Sequence, residues 1–478
     1  MLMNVRNLRI TKPAHLAALW RVAGLFGALL LLSSCAIGNQ GQSTTAPKPT
    51  ATFTPKPTQT APNLPSPFKP DDLLSLLALQ TCNLSAAPGG CFTPEQVQTF
   101  YDLPALYAKG FDGKGQTIVI IDSFGSPTIK DDLTTFDQTF GLPDPPKFDI
   151  IAPLGAINFD LSNSDQLGWA GETTLDVEWA HAIAPGANIV LLESPTSETE
   201  GVQGFPEFEQ LSTYAMDHKL GNIISMSFGA SERTLVGPDA CTQDNGGGQA
   251  LMQEYDQKVF QRAVQEHITM IASSGDDGAT DKTCDLNSDF NVQTVGWPAS
   301  DPLVTAVGGT KLSLKNDTGL YGSERIWNEL GGAGGGGVST IYNEPEWQKN
   351  LPNQSALNGK RGLPDVAWGA AVNFPFYLSV GGLPQWSAIG GTSASAPQWA
   401  GLIAIANQMA GKPLGFLNPG LYQLAGQGFH DVTKGGNGLN GVTGFQAATG
   451  WDAVSGWGTP DAYLLLPQLI DAVQQTGS

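Results

Sequence analysis

Apolar and amphipathic segments alternate along most of the chain. Apolar runs typical of buried strands occupy residues 116–122, 188–193, 222–228, 268–273 and 304–307. Apolar residues at helical spacing occur at 128–140, 172–184, 208–218, 249–265 and 393–409. Strand–helix–strand units of this kind predict a mainly parallel sheet with helices on both faces. We therefore predict one three-layer α/β domain over residues 95–478.

The composition indicates an exported protein with a hydrophobic core, and it argues against a nucleic-acid partner. The 478 residues carry a formal net charge of −20, which offers no basic face to phosphates. Charged residues make up only 14% of the chain, but 41% of it is hydrophobic, which is enough for a core. The 58 glycines and 11 tryptophans are typical of a loop-rich extracellular protein.

The first 34 residues have the pattern of a bacterial signal peptide. An apolar run from Val22 to Leu32 follows a basic segment without acids. Ser33 and Ser34 supply the small residues that a cleavage site requires, and Cys35 follows them directly. This order resembles a lipobox, which predicts lipidation of Cys35 and an extracellular protein that is anchored to a membrane surface or secreted. The alternative is an ordinary signal peptide beside an incidental cysteine.

Two segments separate Cys35 from the predicted domain. Residues 35–70 are rich in Thr and Pro and poor in large apolar residues, which predicts an extended tether. Residues 71–94 form an N-terminal extension.

Four cysteines follow Cys35, and an oxidising compartment favours disulfides among them. Three pairings are possible. Proximity in the sequence favours Cys82–Cys91 and Cys241–Cys284.

Ser393 is the candidate nucleophile, because it follows a Gly-Gly-Thr turn at the start of a long apolar helix. Free backbone N–H groups and the positive end of the helix dipole favour a developing oxyanion there. The alternative is an ordinary serine N-cap. A serine nucleophile usually needs a histidine base. No histidine lies in a setting that suggests this role; the five are His15, His181, His218, His267 and His430.

Carboxylates are the other candidate bases. Glu172 and Asp176 lie four residues apart, on one face of a predicted helix, where like charges repel. They form either a functional pair or a solvated helix face. Asp276 lies in a Gly-Asp-Asp-Gly sequence after the strand 268–273. Such a loop is a turn, a metal site or the position of a catalytic acid.

Three motifs in this order resemble the sedolisins, the serine-carboxyl peptidases with a subtilisin-like fold. They are Glu-x-x-x-Asp at 172–176, Ser-Gly-Asp at 274–276 and Gly-Thr-Ser-Ala-x-x-Pro at 391–397. The resemblance implies that Ser393 is the nucleophile and Glu172 the general base and acid. It implies that Asp176 orients Glu172 and shares its proton, and that Asp276 is the acid of the oxyanion hole.

These roles imply a peptidase that cleaves polypeptides at acidic pH, and we expect it to be monomeric. A glutamate near its ordinary pKa of about 4.3 is a usable base in acid. Asp276 donates to an oxyanion only while it is protonated. Endopeptidase and tripeptidyl-peptidase activity both remain open, and a non-cleaving surface lipoprotein that binds peptide or polysaccharide on the same fold is the alternative function.

The resemblance also implies one structural calcium ion near the C-terminus. Phe-His-Asp-Val-Thr at 429–433 and Ala-Thr-Gly-Trp-Asp at 448–452 match the two halves of the site. The implied ligands are oxygen atoms, which calcium prefers. They come from the side chains of Asp431 and Asp452 and from the carbonyl groups of Val432, Ala448 and Gly450.

One difference from the family concerns the segment before the catalytic domain. Typical sedolisins carry a large folded prodomain there. The residues between Cys35 and Phe92 include the tether, so our interpretation is a lipoprotein-type chain without the usual prodomain. This difference affects how the enzyme is kept inactive and leaves all four catalytic positions filled.

Overall fold

A computed structural model of the protein describes residues 80–81, 91–241, 247–351, 357–382 and 385–476. The predicted signal peptide, the tether, Cys35 and Cys82 lie outside the described residues. Among the residues that the structure describes, no helix combines the length and the apolar character that a membrane span requires.

The strands are short, apart from those at the centre of the main sheet. In chain order they are β1 (Gln80–Thr81), β2 (Thr117–Ser123), β3 (Phe148–Ile151), β4 (Asn188–Ser194), β5 (Ile223–Met226), β6 (Ala230–Ser231), β7 (Thr269–Ser273), β8 (Gly296–Trp297), β9 (Thr305–Leu314), β10 (Tyr321–Ile326), β11 (Asn328–Glu329), β12 (Gly332–Ala333), β13 (Gly337–Asn343), β14 (Lys360–Leu363), β15 (Val366–Gly369), β16 (Phe374–Leu378), β17 (Gln385–Ile389), β18 (Phe429–His430) and β19 (Thr459–Pro460).

Helices lie between the first five strands of this series and between some of the later ones. In chain order they are α1 (Pro94–Phe100), α2 (Pro104–Tyr107), α3 (Ile129–Phe140), α4 (Ser164–Ile183), α5 (Phe205–Asp217), α6 (Glu232–Leu235), α7 (Gly247–Tyr255), α8 (Gln261–Gln265), α9 (Thr392–Ala410), α10 (Asn418–Leu424) and α11 (Ala462–Thr476). A π-helical turn, Asp256–Phe260, joins α7 to α8, and 3-10 turns occur at Glu346–Gln348 and Val380–Gly382.

The main sheet of the described residues has eight strands, in the order β10-β9-β7-β5-β2-β4-β3, with β15 also paired to β9. All of its pairings are parallel except β10 with β9. This confirms the predicted α/β class and the mainly parallel sheet. The apolar runs of the sequence form its central strands, because a parallel sheet covered on both faces buries both sides of each strand.

Each face of the sheet has its own hydrophobic core. Ile118 and Ile120 of β2 pack on one face with α4 and α9. Val119 and Ile121 point to the other face and pack with α5, α7 and α8. The alternation along β2 therefore assigns the two helices with the candidate catalytic residues to the same layer.

Two predicted boundaries were wrong. The helix predicted at 172–184 begins at Ser164, because the Asn163 side chain accepts hydrogen bonds from the backbone N–H groups of Asp165 and Gln166. The strand predicted at 304–307 continues to Leu314, where it pairs with β10.

The structure confirms the disulfide between Cys241 and Cys284, which closes a separation of 43 residues. Cys91 is also disulfide-bonded. Because Cys82 lies outside the described residues, the pairing Cys82–Cys91 stays a prediction. Within the N-terminal extension, β1 pairs antiparallel with β17, the strand that leads to Ser393.

Candidate active site

The four predicted catalytic residues come from three elements that meet at one end of the sheet. Glu172 and Asp176 lie on α4, Asp276 follows β7, and Ser393 is the second residue of α9. The helices α4 and α9 pack closely, since a Cβ atom at Gly401 of α9 would lie 2.8 Å from the Cβ of Ile183 on α4. This close packing brings the carboxyl pair up to the nucleophile.

Two glycines set the position of Ser393. A Cβ atom at Gly390 would lie 2.7 Å from the carbonyl oxygen of Ala370. Gly391 has a φ of 144°, and a Cβ atom there would lie 2.6 Å from Oδ2 of Asp276. Gly391 holds the N-cap position of α9, so capping does not account for Ser393. The serine stands at the helix N-terminus, where backbone N–H groups are free of intrahelical partners.

Glu172 and Asp176 are a buried pair and not a solvated helix face. Asp176 is fully buried, whereas Glu172 keeps partial access to solvent. Burial, together with the charges of Asp122 and Asp276, raises the pKa of Glu172 to about 8. The hydroxyl group of Ser393 interacts with the Glu172 carboxyl and opposes this shift. Burial, then Asp122 and Glu172, raise the pKa of Asp176 well above its ordinary value.

The sequence analysis missed a third carboxyl in this group. Asp122, near the end of β2, is fully buried, and neither of its oxygens has a hydrogen-bond partner among the described residues. Burial, together with the Glu193 charge, raises its pKa to about 7. The available signal was an acidic residue that ends an apolar run, at the carboxyl end of a strand in a parallel sheet, where sites form.

Asp276 is held against the start of the nucleophile helix. Its Oδ1 accepts hydrogen bonds from the backbone N–H of Thr392 at 2.7 Å and from the Thr392 hydroxyl at 2.9 Å. The neighbouring Asp277 points away and forms an ion pair with Lys282 at 3.2 Å. The two aspartates of the loop therefore have different contacts, and Asp276 is the one that lies against the start of α9.

Ser227, which was also missed, links both sides of the site. Its hydroxyl donates to the backbone carbonyl of Ser393 at 3.5 Å, and it interacts with the Asp176 carboxyl. Three of the four histidines of the described residues have side-chain contacts outside this group of carboxyls. His181 lies 3.3 Å from Asp137, His218 stacks on Tyr214, and His430 stacks on Tyr321.

Comparisons with known proteins agree with this geometry. Residues 168–415, which include most of α4, the Asp276 loop and α9, match the model of the subtilase family. Kumamolisin from Bacillus sp. (strain MN-32) is 35% identical over 399 residues, which cover 82% of this chain and 66% of kumamolisin. Sedolisin from Pseudomonas sp. (strain 101) is 31% identical over 368 residues, or 75% of this chain and 58% of sedolisin.

The chain belongs to the subtilase family, in its sedolisin group. A solved structure of Pseudomonas sedolisin, a serine-carboxyl proteinase complexed with pseudo-iodotyrostatin, superposes with a TM-score of 0.64 at 28% identity. The superposition covers 81% of this chain and 99% of the sedolisin chain. This agreement confirms the subtilisin-like fold. The chain spans about two thirds or less of the length of its curated relatives: 66% for kumamolisin and 58% for sedolisin.

Two of the predicted calcium ligands of this sedolisin-family chain, the carboxyls of Asp431 and Asp452, bind backbone N–H groups of the same loop. The Asp452 carboxyl accepts a hydrogen bond from the backbone N–H of Ala448 at 2.7 Å. The Asp431 carboxyl accepts one from the N–H of Gly450 at 3.0 Å. Both carboxyls therefore hold the loop 448–450, beside the buried Val432. Among the described residues, no group of three His, Cys, Asp or Glu side chains is arranged to hold a metal ion. Two carboxylates with carbonyl groups still suit a hard cation.

Proposed function

We propose that this protein is a serine-type endopeptidase that acts at acidic pH through Ser393, Glu172, Asp176 and Asp276. The observation that carries the proposal is the position of Ser393 at the start of α9, which packs against the helix that carries the carboxyls of Glu172 and Asp176. A nucleophile beside a base that a third group orients is the arrangement that acyl transfer requires.

In this mechanism Glu172 takes the hydroxyl proton as Ser393 attacks the scissile carbonyl carbon. Glu172 then gives the proton to the leaving amine. A water molecule completes hydrolysis of the acyl-enzyme by the same route. Asp176 positions Glu172 and shares a proton with it, because two buried carboxyls this close do not both ionise.

The oxyanion that forms during attack lies near the N-terminus of α9. Asp276 is anchored there by the N–H and hydroxyl groups of Thr392. Its Oδ2 lies beside Gly391, two residues before the nucleophile. As a neutral acid it donates a hydrogen bond to the oxyanion, and as a carboxylate it repels the same charge.

We base the acidic working pH on Asp276, which stabilises the oxyanion only while it is protonated. Asp122, Glu172 and Asp176 interact strongly, so their protons leave in steps that belong to the group and not to one residue. The first loss leaves one carboxylate that acts as the base while the other groups stay neutral. Further losses toward neutral pH place unpaired charges in a buried site.

Calcium and a membrane anchor are two further parts of the proposal. Asp431 and Asp452, with the carbonyl groups of Val432, Ala448 and Gly450, would hold one calcium ion, which stabilises the C-terminal loops by neutralising both carboxylates. Lipidation at Cys35, followed by the tether, would place the peptidase domain outside the cell on a membrane surface.

The deciding experiment compares residues 71–478 with their Ser393→Ala variant on an unfolded protein substrate from pH 2 to pH 8. We expect internal cleavage that is strongest in acid and absent in the variant, with equal melting temperatures for the two proteins. Release of tripeptides alone would identify a tripeptidyl-peptidase. Binding of the substrate without cleavage at any pH would support the non-cleaving lipoprotein and overturn the proposal.

A further inference from the structure

A fourth carboxyl, Glu193, lies beside Asp122 on the neighbouring strand. The two residues are directly in register in the parallel pairing of β2 with β4. Ile120 and Leu191, two positions earlier, both pack in the core that contains α4 and α9. Because side chains alternate along a strand, Asp122 and Glu193 point to that same face.

The loop after β2 leaves space for the Glu193 carboxyl. A Cβ atom at Gly125 would lie 1.9 Å from Oε1 of Glu193, and Gly125 has a φ of 64°. The Glu193 carboxyl therefore lies over this loop, three residues beyond Asp122. Asp122 is fully buried, but Glu193 is partly exposed, so Glu193 is the member of the pair nearer to solvent.

The charges that face this pair are all of one sign. Asp122 is faced by Glu193 from β4 and by Glu172 and Asp176 from α4. Among the described residues none of these four carboxyls forms an ion pair, and neither oxygen of Asp122 has a hydrogen-bond partner. Burial raises the pKa of Glu193 to about 7, close to that of Asp122.

We propose that Asp122 and Glu193 form a second proton-holding pair, which lies behind the catalytic carboxyls and positions their charge. In acid the pair is neutral and places no charge beside the catalytic carboxyls. Toward neutral pH the pair ionises, and its negative charge keeps protons on Glu172 and Asp176, which removes the base and ends activity. Both are positioning residues, since they act through the catalytic pair. The catalytic part of this inference rests on the proposed peptidase function.

The first test needs no activity. Glu193→Gln, Asp122→Asn and the double variant are made in the Ser393→Ala background, and melting temperatures are measured from pH 4 to pH 8. A carboxyl whose folded pKa is raised stabilises the fold below its unfolded pKa of about 4 and loses that contribution as the pH rises toward 7. Gln resembles protonated Glu, so we expect Glu193→Gln to match its parent at pH 4 and to melt higher at pH 8.

The coupling between the two residues is the decisive quantity. At pH 8 the gain from Glu193→Gln should be smaller when Asp122→Asn is already present, because the repulsion is gone. At pH 4 the two effects should add. Glu324→Gln is the matched control: burial also raises the pKa of Glu324 to about 7, but its partners are Tyr101, Thr310 and Thr459. Its effect should be independent of Asp122→Asn at every pH.

The second test is the pH profile of kcat in the active enzyme. Glu193→Gln should move the fall on the basic side to higher pH and make it less steep, whereas Glu324→Gln should leave the profile unchanged. Additive effects of the two substitutions at pH 8, or a coupled pair with an unshifted profile, would overturn the inference. If the parent enzyme cleaves nothing, the proposed function fails, but the melting data still decide whether the pair exists.

Discussion

Asp176 and Asp365 are both fully buried aspartates of this fold, and their surroundings differ completely. Asp365 accepts hydrogen bonds from the Arg361 guanidinium at 2.7 Å, from the backbone N–H of Ala306 at 2.8 Å and from the Tyr422 hydroxyl at 2.8 Å. Asp176 has no cation beside it among the described residues, and both of its oxygens are without a hydrogen-bond partner there.

This difference separates a carboxyl with a structural role from one that we propose to be catalytic. Burial of a charge is costly unless hydrogen bonds and an opposite charge compensate for it, as they do for Asp365. At Asp176 the cost remains and appears as a raised pKa, with burial as the main cause. Asp122 and Glu172 also repel a charge on Asp176. This repulsion favours a state in which Asp176 and Glu172 share one proton, as we propose.

The largest expected effect comes from a comparison of two glutamates on helix α4, Glu172 and Glu178. Glu172→Gln removes the base, and by analogy with other serine peptidases the loss of kcat is on the order of 10⁴–10⁶. Glu178 is also buried on α4, but its Oε2 accepts a hydrogen bond from the backbone N–H of Tyr377 at 3.1 Å. Glu178→Gln keeps that bond, so kcat should stay within about tenfold.

Steady-state kinetics of these two variants at the acid optimum check this contrast. An active Glu172→Gln enzyme, or an equal loss in both variants, would show that Glu172 is not the base.

The next largest effect is on the free energy of unfolding, and it compares substitution of Asp365 with substitution of Asp176. Asp365→Asn leaves the buried Arg361 without its counter-charge, which costs about 3–5 kcal/mol. Asp176→Asn removes a group whose raised pKa destabilises the fold as the pH rises above about 4. Made in the Ser393→Ala background, Asp176→Asn should therefore be neutral at pH 4 and stabilising at pH 7.

Urea unfolding at both pH values measures the two changes. The comparison fails if Asp176→Asn destabilises the protein at pH 7 as much as Asp365→Asn does.

A smaller effect is expected at the oxyanion. Asp276→Ala removes one donor and should lower kcat about 10²–10³-fold. Asp276→Asn keeps a donor at every pH, so it should retain more activity than Asp276→Ala and extend it to higher pH. The pH dependence of kcat for both variants is the measurement. A wild-type rate that peaks at pH 7–8 would contradict the carboxyl mechanism as a whole.

The smallest effect concerns the C-terminal loops, where two carboxyls bind backbone N–H groups. Calcium at 100 times its Kd should stabilise the protein by about 2.7 kcal/mol at neutral pH. At acid pH the effect should shrink, because protonated carboxyls bind the ion weakly. Thermal melting with calcium and with a chelator measures it, and Asp431→Asn with Asp452→Asn is the control that should not respond.

The sequence determined the fold class and the four candidate catalytic residues. Apolar runs predicted the central strands, because strands covered on both faces carry that local pattern. Glu172, Asp176, Asp276 and Ser393 were found because each lies in a short motif whose members are neighbours along the chain. The extension of β9 beyond residue 307 and its pairing with β10 were not found, since they depend on a partner strand and not on local pattern.

Only the tertiary structure decided which carboxyls act together. Asp122 and Glu193 are far apart in the sequence and meet because β2 and β4 pair in register. Gly125 leaves room for the Glu193 carboxyl, and no local sequence pattern predicts that space. The sequence also does not distinguish the surroundings of Asp176 from those of Asp365. Burial, hydrogen-bond partners and neighbouring charges set the pKa of a carboxyl, and all three arise when distant segments pack together.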